Sequence, residues 1–266
     1  MSADFLNDVR TGWALAANNI RLQTRKHLLG YSWTIFTPVI YAACYLIVKR
    51  GISSGSTTDA AHMVSVLRAF AGVTLLQLWF QLLQETSSLI RHRKALLRGM
   101  NISEYPLVLA VLFEASFGLL LRVLTIVAAV FFLGLSFPHS MSAWLWLVTA
   151  LICLPLTATA IGLLLAPWSA LYPDVGKAVS TLNLPLLLLS PVFYVATTQT
   201  DSVLFWINCF NPLASPLATI MDSLAGRTPL YGPALLAWMA LSAVLVVAAL
   251  RQLKTQIPIL LERLGA

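Results

Sequence analysis

The chain has 266 residues, of which 59% are hydrophobic and only 10% charged, with a net charge of +7. A soluble domain carries about 25% charged residues, so charge this sparse excludes a solvated globular surface of this size and points to lipid. In a lipid setting the excess of positive charge bears on orientation, not on nucleic acid, and no nucleic-acid partner is expected.

A span needs roughly 20 apolar residues to cross a hydrocarbon layer about 30 Å thick. The chain is long enough for six spans and little else. The expected fold class is therefore an all-α integral membrane protein, one domain over residues 1–266. The N-terminus, MSADFLNDVR, has no apolar core after a basic start. No cleavable leader is expected, and the first span should itself direct insertion.

Residues 3–26 read as an amphipathic helix. Phe5, Val9, Trp13, Ala16, Ala17 and Ile20 recur at helical spacing, while Asp4, Asp8, Arg10, Asn18 and Arg21 take the other faces. Such a helix is expected to lie in the membrane interface.

Span 1 is predicted over 30–48. Tyr31, Thr34, Pro38, Tyr41 and Tyr45 fall within about 80° of one another at 100° per residue. Tyrosine offers a flat apolar ring and a polar tip, so this row would suit a sugar chain passing along a conduit. Interfacial anchoring and helix packing remain the alternative, because tyrosine is enriched at membrane boundaries. Span 2 is predicted over 64–84. Thr74, Gln77, Gln81, Gln84 and Ser88 form a second polar stripe, which should meet water or protein. Conduit and subunit interface are both open readings of it.

Residues 85–104 form a basic segment. Arg91, Arg93, Lys94 and Arg98 alternate with Leu89, Ile90, Leu96 and Leu97. The pattern fits a short helix that docks on a partner protein, or one that holds anionic headgroups. Span 3, over 105–133, is longer than one crossing and should tilt or project. It carries Glu114 and Arg122, about 80° apart and about 12 Å along the axis. They are therefore not an obvious pair, and each is expected to find a partner on another helix.

Spans 4, 5 and 6 are predicted over 143–166, 177–195 and 231–250, with a tail at 251–266. Between spans 5 and 6, residues 196–230 stay apolar and carry Pro212, Pro216 and Pro229. Short half-inserted helices are expected there, since irregular backbone at membrane depth must be shielded by protein.

With the N-terminus inside, one side holds Arg10, Arg21, Arg25, Lys26, Arg91, Arg93, Lys94, Arg98, Lys177, Arg251, Lys254 and Arg263. The other holds Lys49, Arg50 and Arg227, with Arg68 near its edge. This asymmetry places both termini in the cytoplasm. Cys44 and Cys153 fall in apolar runs and Cys209 in a loop, which gives neither a disulfide framework nor a metal site.

The sequence has no GxxxxGK[ST] phosphate loop; GISSGSTT at 51–58 lacks the lysine. HExxH is absent too, as is GxSxG with suitable partners. An intrinsic ATPase or hydrolase is not expected. A membrane glycosyl- or acyltransferase would need a convergent acid/base cluster, and Glu85, Glu104 and Asp174 are scattered.

Four segments carry a resemblance. They are RLQTRKHLLGYSWTIFTPVIY (21–41), LIRHRKALLRGMNISEYPLVLAVL (89–112), LYPDVGKAVSTLNLPLLLLSPVFY (171–194) and NPLASPLATIMDSL (211–224). In this order, the chain resembles permease subunits of type-2 ABC exporters, in the polysaccharide and polyol-phosphate branch that serves O-antigen, capsule and teichoic-acid export. Two steps depart from that pattern. Ile102-Ser103-Glu104-Tyr105-Pro106 stands where a Phe-Pro-Arg-like step is common, and Tyr172-Pro173-Asp174 replaces a more usual Arg-Asp pair.

The resemblance implies a homodimer in the bacterial inner membrane with two separate ATPase subunits, which bind ATP and Mg; this chain itself needs no cofactor. It implies a coupling helix near 91–101 and a conduit at the dimer axis. The substrate it implies is a lipid-linked glycan; a drug or lipid exporter of the same type is the alternative.

Overall fold

In a computed structural model the described residues are 2–26, 32–52, 59–93, 104–135, 138, 140–197, 199 and 201–263. Among them the fold is all-helical. The helices are α1 (Ser2–Lys26), α2 (Trp33–Ile52), α3 (Asp59–Ser87), α4 (Leu89–His92) and α5 (Glu104–Phe132). They continue with α6 (Met141–Leu171), α7 (Pro173–Thr181), α8 (Asn183–Leu189), α9 (Val203–Phe210), α10 (Ala214–Leu224) and α11 (Gly232–Arg263).

Among the described residues four helices are long and apolar enough to cross a membrane: Met63–Ser87, Tyr105–Phe132, Met141–Leu171 and Gly232–Ile257. A fifth candidate arises if α9 and α10, bent by 101°, are taken together. Their outer faces are apolar. Leu120, Leu124 and Phe131 on α5, Leu145 and Ile152 on α6, and Val244 and Val247 on α11 are all exposed. A soluble protein does not leave such continuous apolar surface bare.

Helix α6 is the hub, packing on α3, α10 and α11. Ser140 caps its N-terminus by accepting from the Ala143 N–H. Pro155 and Pro167 lie inside it. Thr159 donates to the Pro155 carbonyl at 2.8 Å, four residues back in the same helix. The approach of α3 to α6 depends on Gly162. A Cβ there would collide with Thr86 Oγ1 and stand 3.0 Å from the Leu83 carbonyl. One turn away, buried Trp79 donates to Thr157 Oγ1 at 3.0 Å, so the same contact is both close and polar.

The predicted fifth span, 177–195, is not one helix. Tyr172 is extended (φ −121°, ψ 110°), as a residue before proline prefers. It ends α6, and Pro173 opens α7 at the first helical position. Pro185 has no N–H to offer the Thr181 carbonyl, and the chain breaks at Leu182 between α7 and α8. Ser190, again before proline, is extended and ends α8.

A third such step, Asn211-Pro212, makes the sharp turn between α9 and α10. Asn211 Nδ2 donates to Ser190 Oγ at 3.2 Å, and its Oδ1 accepts from the Leu213 N–H at 3.0 Å. Two proline breaks are thus tied to each other. Trp238 of α11 donates to the Cys209 carbonyl at 2.9 Å, and Tyr231 to the Thr197 carbonyl at 2.7 Å. These bonds satisfy irregular backbone that would otherwise sit uncompensated in an apolar setting. At the C-terminus, α11 continues through residues 251–263, so most of the expected tail at 251–266 is helix.

Candidate functional site

Helix α1 packs along α5. Its Gly12 lies against Leu109 and the Pro106 carbonyl, where a Cβ would be 3.1 Å from that oxygen. Trp13 meets Phe113 edge-on at 5.4 Å. This contact brings the polar side of α1 to the one carboxylate in the middle of α5. Asn19 Nδ2 donates to Glu114 Oε1 at 2.7 Å, and Arg93 Nη2 reaches the same oxygen at 3.2 Å. Both ion-pair side chains are largely enclosed, at 13% and 11% exposure, so the charges compensate each other outside bulk water.

Two turns further along α5, Arg122 is buried. Its Nη2 donates to Gln81 Oε1 of α3 at 3.0 Å, and its Nη1 to the Gly118 carbonyl at 3.3 Å. Gln81 Nε2 in turn donates to Glu85 Oε1 at 2.8 Å. Glu85 and Glu114 both line a cavity of about 310 Å³ with Asn19, Leu89, His92 and Arg93. The result is a polar seam through α1, α3, α4 and α5 with two carboxylates and two guanidiniums. Glu114 and Arg122 are not bonded to each other; each has its partner on another element.

The remaining site residues fall as follows. Tyr31, Lys94, Leu96, Leu97 and Arg98 lie outside the described residues, as do the side chains of Thr34 and Tyr45. Tyr41 is exposed on α2. The polar stripe of α3 does not form one open face. Thr74 is fully buried and donates to the Phe70 carbonyl of its own helix at 2.6 Å. The reason is that α3 is the most enclosed of the long helices, so a shared direction at 100° per residue does not make a shared surface. Gln77 is half-buried, Gln81 is engaged in the seam, and Gln84 is exposed. Arg91 and Arg93 diverge: Arg93 turns to Glu114, while Arg91 lies against Gly176 of α7.

Asn19 and Glu85 were not among the expected site residues. Asn19 carries no signal beyond the polar face of an amphipathic helix. Glu85 stands out only as a carboxylate at the end of an apolar run. Among the described residues no group of His, Cys, Asp and Glu is arranged to hold a metal ion. Each carboxylate of the seam is held by a neutral amide, a guanidinium or both, so the seam links its four elements through compensated charge.

These helices and their apolar exteriors define a multi-pass membrane protein. The chain belongs to the ABC-2 type transporter family, whose model matches residues 11–224. The match runs from within α1 to the end of α10. It makes this chain the membrane permease of an ABC exporter, a transport subunit whose ATPase is separate. No curated protein matches the chain.

Proposed function

We propose that this permease exports a lipid-linked polysaccharide of the O-antigen or capsule type from the cytoplasm across the bacterial inner membrane. It works as a homodimer with two ATPase subunits that bind ATP and Mg. In this reading α2, α3, α5, α6, α7 with α8, and α11 provide six crossings, both termini are cytoplasmic, and α9 and α10 dip back into the outer leaflet.

The observation that carries the reading is Tyr41, which is exposed on α2 in the single chain and shares its helical direction with Tyr31 and Tyr45 in the sequence. Aromatic rings can cover the C–H faces of sugars, and the tyrosine hydroxyls can bond the sugar hydroxyls. The same helix also exposes Val39, Ile40 and Ile47, which favours as second reading a lipid or drug exporter with an apolar cavity. A membrane enzyme has weaker support, because Glu85 and Glu114 are both engaged within the seam.

Replacing Tyr41 and Tyr45 together by Ala should cut glycan export while the permease still copurifies with its ATPase. Normal surface glycan in that variant would count against the polysaccharide conduit and favour the second reading.

A further inference from the structure

Three of the long apolar helices begin or end around one cavity of about 580 Å³. Val64 stands at the start of the stretch Met63–Ser87, Val130 near the end of Tyr105–Phe132, and Ser140 just before Met141–Leu171, and all three line the cavity. It therefore lies at one membrane boundary, at the far end of α3 and α5 from Glu85, Arg93 and the seam. In the topology proposed above this is the outer boundary.

The interior is apolar: Leu67, Val130 and Met221 line it and are buried. Pro138 forms another wall, and its carbonyl accepts from Trp144 Nε1 at 3.1 Å, which fixes the segment before α6 in place. The C-terminal end of α10 closes the cavity. That helix stops in a Schellman turn, with the Gly226 N–H donating to the Ser223 carbonyl at 3.0 Å and the Arg227 N–H to the Asp222 carbonyl at 2.8 Å. Gly226 has φ 68°, a left-handed conformation that glycine adopts without a Cβ penalty. The turn brings Arg227 to the cavity, and Arg68 of α3 supplies a second guanidinium.

We propose that this cavity holds an anionic phospholipid of the outer leaflet, with an acyl segment on the apolar wall and the phosphate shared by Arg68 and Arg227. Val64 is exposed, as are its neighbour Met63 and the neighbours of Val130, Phe131 and Phe132. The cavity thus borders surface that faces acyl chains, and the rest of the lipid can stay in the bilayer. Its volume falls within the range of about 300–1,000 Å³ typical of ligand pockets.

Charge selects the headgroup. Asp222 lies within electrostatic reach of both guanidiniums, and its carboxylate accepts from the Leu230 N–H. One carboxylate against two guanidiniums leaves one positive charge. A phosphodiester with a single negative charge balances it, and arginine offers that group a planar fork of donors. A zwitterionic lipid brings no net charge to the site. A soluble anion would leave the apolar wall uncovered.

The test uses the full-length chain in a zwitterionic detergent. It is titrated separately with phosphatidylglycerol, with phosphatidylcholine of the same acyl chains, and with glycerophosphoglycerol, the headgroup without chains. Retention is read by native mass spectrometry, so the outcome is independent of export and of the polysaccharide reading. Phosphatidylglycerol should be held about fivefold or more tighter than phosphatidylcholine, the attraction of one guanidinium for an anionic lipid. The double variant Arg68→Gln, Arg227→Gln should weaken its retention by about tenfold or more. Arg251→Gln with Lys254→Gln removes the same number of charges from exposed positions toward the other end of α11, and should leave the tightest-held lipid in place. Asp222→Asn keeps an acceptor for the Leu230 N–H and removes the competing charge. It should tighten retention by about two- to threefold, a gain that misfolding cannot mimic.

Equal retention of the two lipids overturns the proposal, as does glycerophosphoglycerol held as tightly as phosphatidylglycerol. It is likewise overturned if the Arg68, Arg227 variant binds as the parent chain does, or if Asp222→Asn brings no gain. The same loss in the Arg251, Lys254 variant would reduce the effect to bulk charge and would also overturn it.

Discussion

Glu114 accepts from Asn19 of α1 and pairs with Arg93, so one carboxylate joins three separated stretches of the chain. Replacing it by Ala leaves a mostly enclosed guanidinium without its counter-charge, at a cost of about 3 kcal/mol. The docking of α1 on α5 should loosen, and hydrogen exchange along α1 should accelerate. Glu114→Gln keeps an acceptor for Asn19 and should fall between the two. An α1 equally protected in all three would show that apolar contacts such as Trp13 with Phe113 hold it alone. The position of Glu114 was legible in the sequence because a charge in an apolar run is rare. Its partners were not: Asn19 lies 95 residues away and looks like any polar residue on an amphipathic helix.

At the scale of elements, Gly162 decides how near α3 comes to α6. Gly162→Ala places a methyl against Thr86 Oγ1 and should cost about 1–3 kcal/mol through overpacking, seen as a lower thermal midpoint in detergent. Thr86→Gly in the same chain should recover part of the loss, because it removes the colliding atoms. No recovery would mean that the Leu83 carbonyl, not Thr86, sets the limit.

Helices α3, α5, α6 and α11 are each apolar over more than a bilayer's thickness, which a hydropathy pattern can read. The same pattern failed at 177–195, where the apolar run is continuous but the backbone is not. Pro173, Pro185 and Pro191 were visible in the sequence. Apolarity says that a segment is buried; hydrogen-bond supply says whether it is one helix.

For the whole molecule, the exposed face of α2 is the surface most in need of a partner. Cys44 lies on it, exposed, whereas Cys153 is buried and Cys209 half-buried. If two copies meet along α2, mild oxidation of membranes should give a disulfide-linked dimer that Cys44→Ser abolishes. Absence of that product, with a dimer still present by native mass spectrometry, would place the interface on another helix.

Composition and hydropathy by themselves determined that this protein is helical and belongs in a membrane. These are sums over local segments, and 20 consecutive apolar residues need no distant partner to be read. Four ordered segments were enough to point to a type-2 ABC permease. Only the tertiary structure decided what the polar residues do. It buried Thr74, tied Gln81 to Arg122 and Glu85, and sent Arg93 to Glu114 and Arg91 to Gly176. The physical reason is that a buried polar group must find a partner wherever packing brings one. Packing depends on contacts between residues far apart in the chain, which no periodicity within a single helix encodes.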